Sequence, residues 1–215
     1  MAAKPIVAGT DGSEESLRAV GWAAKEAALR GAPLRIVSAE ESPPGMTTPA
    51  GPGEQKRVTD VLLSERDQAL AAAAERAAKT AHGVLIDTDT LTGSVDEALT
   101  GAGSGALMLV LGSRGRGAFT ALLLGSVSRY VATHASCPVV VIRDEPPSPH
   151  GLVGVGVADL DSCGDALTFA FEEASLRHAS LLDDWRAKYP GVPVSQEVVH
   201  GHPGRALIGL SARAA

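Results

Sequence analysis

Short apolar runs alternate with helix-compatible stretches along the first 143 residues, and this alternation is the feature that most constrains the fold. Five runs have the length and aliphatic composition of buried strands, while the stretches between them show helical spacing. This order predicts a parallel sheet with helices on both faces and right-handed crossovers, an α/β fold. The predicted strands cover residues 6–10, 34–39, 84–91, 106–111 and 139–142.

Helix signals separate these strands. Ser13 is placed to cap the first helix, and Gly31 is placed to end it. A long alanine-rich helix is predicted over residues 54–82, after a Pro- and Gly-rich segment, residues 42–53, that is typical of a surface loop. Ser94 begins a capping-box pattern at the start of a short third helix.

A glycine-rich segment follows the fourth predicted strand. Gly112 and Gly115 stand three apart, and after nine further residues Gly125 and Ser126 precede a helix over residues 127–134. Glycine allows backbone N–H groups to approach an anion, and a helix N-terminus adds unpaired donors with a partial positive charge. The pattern therefore indicates a polyphosphate cradle. Taken alone, the first two glycines fit a tight strand-to-helix turn equally well, and Ser126 could cap the helix or bind a phosphate oxygen.

The whole pattern resembles the nucleotide-binding signature of the universal stress protein family. The first strand, which leads into Asp11, and the last strand, which follows Cys137, carry the same resemblance, and it extends over residues 4–143. It implies a five-stranded, Rossmann-like sheet of the adenine nucleotide α-hydrolase type, with ligands beyond the carboxyl ends of the strands.

The resemblance also implies a role for individual residues, with ATP as the ligand and Mg²⁺ bridging its phosphates. Each residue has a simpler alternative: Asp11 could form an Asx-turn, Ala39 could be ordinary core, and Arg114 could be a solvated loop charge. The resemblance places Gly9, Thr10 and Asp11 at the adenosine, Ala39 at the adenine edge, and Gly112, Arg114, Gly115, Gly125, Ser126 and Val127 at the triphosphate.

No catalytic set accompanies these residues. A G-x-x-x-x-G-K-[ST] loop is lacking, and no acidic residue is fixed by motif as a base. We expect ATP binding with a regulatory role in stress, and at most slow hydrolysis or autophosphorylation. The alternatives are an interaction module of the same fold that binds no nucleotide, and an adenylating or ligating enzyme. His200 and His202 flank Gly201 without a third ligand nearby, so no metal site is predicted.

Composition argues against several other classes of function. A net charge of −6 and a pI near 5.5 argue against nucleic acid as a partner. Two cysteines are too few for a disulfide framework. The sequence shows neither a signal-peptide pattern nor a membrane-spanning apolar run, so we expect a cytoplasmic protein without a membrane partner.

The sequence begins again after residue 150. Shifted by 147 positions, residues 153–181 track residues 6–34, so that Glu173 and Arg177 repeat Glu26 and Arg30. Further on the matching offset falls to 108, which implies that about 39 residues are missing, strand two among them. We predict a nucleotide-binding domain over 1–143, a Pro-rich linker over 144–150, and an incomplete second copy over 151–215. We expect the copy not to bind nucleotide; whether it packs on the first domain, is loosely ordered or has no role is left open.

The resemblance also implies dimerisation through the fifth strand. Members of the family commonly pair this strand across a two-fold axis, and the two halves of tandem members meet in the same way. The second half of this chain lacks an equivalent strand. We therefore expect two chains to pair through Val139–Ile142 as a homodimer.

Overall fold

The fold was analysed in a computed structural model that describes residues 3–40, 52–115, 124–143 and 164–188. Two compact units are present, Met1–Ser148 and Pro149–Ala215. Several predictions lie outside the described residues: most of the loop over 42–53, the linker over 144–150, and the second-copy segments around 153–163 and beyond 188.

The first unit alternates strand and helix, as the sequence predicts. The observed boundaries differ from the predicted ones by no more than two residues wherever both ends are described. In chain order the elements are β1 (Ile6–Gly9), α1 (Glu14–Arg30), β2 (Leu34–Glu40), α2 (Pro52–Thr80), β3 (Ile86–Thr92), α3 (Val95–Ala102), β4 (Met108–Gly112), α4 (Ser126–His134) and β5 (Val139–Ile142).

The five strands form one parallel sheet in the order β3-β2-β1-β4-β5. Ile6 of β1 pairs with Leu34 on one side and with Met108 on the other. The strand order therefore reverses between β1 and β4, because the chain leaves β1 toward β2 and later returns to the other side. In open α/β sheets this switch point creates a crevice at the carboxyl ends of the strands.

Helix α1 begins and ends at the predicted caps. The Ser13 hydroxyl accepts a hydrogen bond from the Ser16 amide, while Glu14 and Glu15 lie in the first turn and complement the helix dipole. Gly31 ends the helix in the left-handed region at φ 60°, where a side chain would be strained. These two caps fix the ends of the helix that connects β1 to β2.

The core is aliphatic, as a chain with 3% aromatic residues requires. Helices α1 and α2 pack together, and so do α3 and α4. Ala19, Ala23, Ala24 and Ala27 of α1 are fully buried, and small side chains allow this helix to lie close to the sheet. Leu99 of α3 and Val131 of α4 share a cluster with Val7, Val37, Ala106, Leu109 and Leu111.

One prediction about a single residue needs revision. Ser94 stands at the N-cap of α3, but its hydroxyl bonds to the Asp96 carboxylate instead of capping the helix, so the capping box does not form. Cys137 is half-buried beside the core cluster rather than fully enclosed. Burial still raises the pKa of its thiol, which disfavours the reactive thiolate.

In the second unit the structure describes one helix, α5 (Gly164–Lys188). Arg177 Nη2 lies 2.6 Å from Glu173 Oε2, and the acid is almost entirely buried. In α1 the corresponding pair, Arg30 Nε and Glu26 Oε1, is also 2.6 Å apart with a buried acid. Residue 181, which matches the first residue of β2, lies inside this helix instead of starting a strand.

None of the helices in the described parts of the chain has both the length and the apolar character required to cross a bilayer.

Candidate functional site

A cavity of about 460 Å³ opens at the carboxyl ends of β1 and β4, at the switch point of the sheet. Its volume is within the usual range for a small-molecule site. All ten residues singled out from the sequence line this cavity, although about a hundred positions separate the first group from the last. They are Gly9, Thr10, Asp11, Ala39, Gly112, Arg114, Gly115, Gly125, Ser126 and Val127.

A network of hydroxyl groups fixes the loop between β1 and α1. The Ser16 hydroxyl donates to the Ser13 carbonyl oxygen at 2.9 Å and lies 3.1 Å from the Thr10 hydroxyl. The Thr10 hydroxyl oxygen accepts from the Gly12 amide at 3.2 Å. Thr10 and Ser16 are both buried, so these bonds hold the loop in one conformation at the edge of the cavity.

The Asp11 carboxylate belongs to the same loop. Its Oδ1 accepts hydrogen bonds from the Ser13 amide at 3.0 Å and from the Ser13 hydroxyl at 2.6 Å. The Asx-turn that was the simpler interpretation of Asp11 is therefore present. The Oδ2 atom faces the glycine loop, because a Cβ built on Gly115 would lie only 2.6 Å from it. Asp11 thus shapes the turn with one oxygen and lies against the loop after β4 with the other.

Gly112 has a packing role. A Cβ at this position would lie 3.0 Å from the carbonyl carbon and oxygen of Glu15 in the first turn of α1. Only glycine allows β4 and α1 to approach this closely. This packing role of Gly112 was not predicted from the sequence, while Gly115 is exposed at the cavity.

Helix α4 begins with Gly125 as its N-cap, so of the two roles left open for Ser126 the capping role is ruled out. Ser126 is the first helical residue, and its exposed side chain lines the cavity. The Ser128 hydroxyl donates to the carbonyl oxygens of Ser113 and Gly125, at 3.3 and 3.2 Å, and ties the helix start to the loop after β4. The amides of the first turn of α4 therefore open on the cavity, with the half-buried Arg114 on its wall.

The sequence interpretation missed the apolar wall of the cavity. Val95 and Leu99 lie one turn apart on α3, and Leu111 precedes the glycine loop. Their spacing on a helix that starts beyond the carboxyl end of β3 could have indicated this face, because such helix starts gather at the crevice. The further lining residues not foreseen are Ser16, Leu124 and Ser128.

The arrangement can bind an elongated ligand that has an apolar end and an anionic end. Its lining combines the apolar side chains of α3, and Ala39 near the end of β2, with the α4 N-terminus and Arg114. Within the part of the chain that the structure describes, no group of three or more His, Cys, Asp and Glu side chains could hold a metal ion.

Fold and site together define an α/β protein whose ligand crevice lies beside a glycine loop. The sequence model of the universal stress protein family matches residues 2–143, so the chain belongs to this family. The match covers the whole described sheet and every residue of the cavity.

Relatives with the same description are found in mycobacteria. The chain is 37% identical over 194 residues to universal stress protein Rv1996 of Mycobacterium tuberculosis, covering 82% of this chain and 61% of that protein. It thus spans about three fifths of the length of this relative.

Universal stress protein Rv2005c of Mycobacterium tuberculosis is 31% identical over 250 residues, covering 97% of this chain and 84% of that protein. Because this chain has only 215 residues, the alignment includes at least 35 positions that have no counterpart here.

Solved structures of the family show the same fold. A universal stress protein in complex with cAMP is 30% identical, with a TM-score of 0.50 over 66% of this chain and 98% of that chain. The universal stress protein UspA of Lactobacillus plantarum, at 22% identity, has a TM-score of 0.56 over 66% and 99%.

Proposed function

We propose that this chain binds ATP in the cavity between β1 and β4, and that it acts as a stress-linked regulatory protein and not as a fast catalyst. The observation that carries the proposal is the convergence of two glycine segments and a helix N-terminus on one cavity. Family membership supports it, as does the cAMP complex of a relative at 30% identity.

The phosphate end of the ligand belongs at the start of α4. The amides of Ser126 and Val127 lie in the first helical turn, where the helix dipole favours an anion. Arg114 supplies a cation on the same wall, and Gly115 keeps the loop free of a side chain. These donors would bind phosphate oxygens chiefly through the main chain.

The adenosine end belongs near α3 and the end of β2. Val95 and Leu99 offer an apolar surface for the base, and the backbone of Ala39 lies at the adenine edge. Asp11, which Ser13 holds in one rotamer, is the group for the ribose hydroxyls. The base would thus pack in an apolar region, while the ribose hydroxyls would bind the Asp11 carboxylate.

Mg²⁺ would accompany the phosphates. This ion is usually held by one or two protein oxygens together with phosphate oxygens and water. The Ser126 hydroxyl lines the cavity at the phosphate end, so one protein oxygen is available to an ion that arrives with the nucleotide. Bound there, Mg²⁺ would neutralise part of the phosphate charge.

We propose a binding role rather than an enzymatic one. Asp11 Oδ1 accepts hydrogen bonds from the amide and the hydroxyl of Ser13, so this oxygen serves the turn. Occupancy by ATP can then act by favouring one conformation or one protein partner. Hydrolysis or autophosphorylation, if present, is expected to be slow, and the cytoplasm is the expected location.

We also propose a homodimer formed through β5. This strand is at the edge of the sheet, and its even-numbered residues face β4, because the Pro138 and Ile142 carbonyl oxygens accept from Leu109 and Ser113. The backbone groups of Val139 and Val141 therefore point toward the open edge. Sedimentation equilibrium should give twice the chain mass; a monomer at all concentrations would contradict the dimer.

The test of ATP binding is nucleotide retained through purification. Wild-type protein should release an adenine nucleotide on denaturation, identified by mass spectrometry, and Gly115→Val should release far less. Gly101→Val is the matched control, because a Cβ at Gly101 meets nothing within 4 Å and the residue is outside the cavity. Wild-type protein that carries no nucleotide and takes none up when ATP and Mg²⁺ are added would contradict the proposal and favour an interaction module.

A further inference from the structure

A second cavity, of about 520 Å³, lies between the first turn of α3 and the exposed face of α4, and we call it the α3–α4 groove. Val95, Ser126 and Val127 line both this groove and the nucleotide cavity, so the two are adjacent. The side chains that line the groove alone are polar or aromatic: Ser94, Asp96, Arg129, Tyr130, Thr133 and His134.

Two aromatic rings that line the groove are stacked face to face. Tyr130 and His134 stack with their centroids 4.0 Å apart and an angle of 12° between the ring planes. His134 Nδ1 lies 2.8 Å from the Tyr130 carbonyl oxygen and 2.8 Å from the Thr133 hydroxyl, which fixes the imidazole in place. Fixed aromatic rings beside an open groove are the usual platform on which proteins stack a nucleobase.

A cation and a carboxylate accompany the rings. Arg129 is exposed, and among the described residues its guanidinium has no ion-pair partner. It lies three positions after Ser126, one helical turn further from the α4 N-terminus. Asp96 is oriented by bonds from the Ser94 hydroxyl and, at 3.0 Å, the Glu97 amide, and it can accept hydrogen bonds from sugar hydroxyls.

We propose that the α3–α4 groove binds a second nucleoside, joined through a phosphate bridge to the nucleotide in the first cavity. The ligand class is a dinucleoside polyphosphate. The outer face of the stacked Tyr130–His134 pair stacks on the second base, Asp96 binds its ribose, and Arg129 binds the bridge after it passes Ser126. The span of α4 from Ser126 to His134, about 12 Å at 1.5 Å per residue, gives room for the added nucleoside. This inference rests on the proposed nucleotide binding in the first cavity.

Calorimetric titration of the full chain with ATP and with diadenosine tetraphosphate, both with Mg²⁺, tests the proposal. Wild-type protein should bind the dinucleotide roughly tenfold more tightly than ATP, with one dinucleotide per chain. Arg129→Gln and Asp96→Asn should each remove most of this preference and leave ATP affinity unchanged. Lys25→Gln, at an exposed position of α1, is the control for loss of one positive charge.

The outcomes separate this proposal from the one on which it rests. Equal affinity for ATP and the dinucleotide would overturn the bridged ligand while leaving ATP binding intact. A preference for the dinucleotide that persists in Arg129→Gln and Asp96→Asn would also overturn it, because the groove would not be its source. Failure of both ligands to bind folded protein would overturn the proposed function itself.

Discussion

Asp11 illustrates how one residue can satisfy a structural role and still be available to a site. Its Oδ1 completes an Asx-turn with Ser13, and its Oδ2 lies against the loop that carries Gly115. From the sequence the turn alone is the more economical interpretation. The contact with Gly115 depends on the sheet bringing residues about a hundred positions apart to one edge, so single-residue reasoning could not decide between the roles.

The contact between Asp11 and Gly115 predicts that Gly115→Ala weakens nucleotide binding. The new methyl group would lie about 2.6 Å from Oδ2, so the carboxylate or the loop must move. Gly101→Ala is the matched control, because a Cβ at Gly101 meets nothing within 4 Å and the residue lies outside the cavity. Titration with ATP should show a loss of roughly tenfold or more for Gly115→Ala only. Equal losses in both variants would contradict this role of Gly115.

Ser13 both caps α1 and holds Asp11, so Ser13→Ala should affect stability and binding together. Loss of the cap should lower the free energy of unfolding by about 1 kcal/mol, measured by urea denaturation. Release of the Asp11 carboxylate should in addition weaken ATP binding. Ser94→Ala is the control, since Ser94 occupies an N-cap position without making the capping bond. Equal destabilisation by the two substitutions would show that Ser13 does not act through its cap.

At the scale of elements, the contact between β4 and α1 depends on Gly112. Gly112→Ala would place a methyl group 3.0 Å from backbone atoms of Glu15, which cannot swing away as a side chain can. The strand and helix must separate, at a cost of about 1–3 kcal/mol in the free energy of unfolding. Thermal denaturation would measure this cost. A melting temperature equal to that of wild type would show that the elements are less closely packed than described.

The contact between β2 and β3 includes an ion pair that should respond to acid. The hydrogen bond from Arg35 lowers the pKa of Asp89, so the pair stabilises the fold above the unfolded pKa of aspartate, near 4. That stability is lost as the pH falls through the lower, folded value. Because both side chains are about a third or more exposed, we expect only about 0.2–1 kcal/mol. The difference between wild type and Arg35→Gln in urea should vanish at low pH; a constant difference would contradict the assignment.

The order of elements could be predicted from sequence, because strand and helix periods differ and the caps at Ser13 and Gly31 are explicit. Details that depend on competition between hydrogen bonds could not be predicted from the sequence. Ser94 has the position of a cap, yet its hydroxyl binds the Asp96 carboxylate, a charged acceptor in the first turn. Gly125, and not Ser126, is the N-cap of α4, because the Gly125 amide donates to the Ser113 carbonyl oxygen and fixes where the helix starts.

At the scale of the whole molecule, the second unit keeps one recognisable feature of the first. The buried pair Glu173 and Arg177 reproduces Glu26 and Arg30 at the predicted shift of 147 positions. Gly31 ends α1, whereas the corresponding residue 178 is His, and α5 continues to Lys188. Helix α5 continues through the position where the equivalent of β2 would start, which agrees with the internal loss of strand two from the second copy. The alignment with Rv2005c, which is longer than this chain, agrees with the same loss. The incomplete second domain stays a prediction.

The most direct test of the account compares the affinities of ATP and adenosine for wild-type protein, by calorimetry in the presence of Mg²⁺. If main-chain amides at Gly115 and the α4 N-terminus bind the phosphates, ATP should bind at one site per chain and at least tenfold more tightly than adenosine. Adenosine binding as tightly as ATP, or no binding of either to protein with a cooperative unfolding transition, would contradict it.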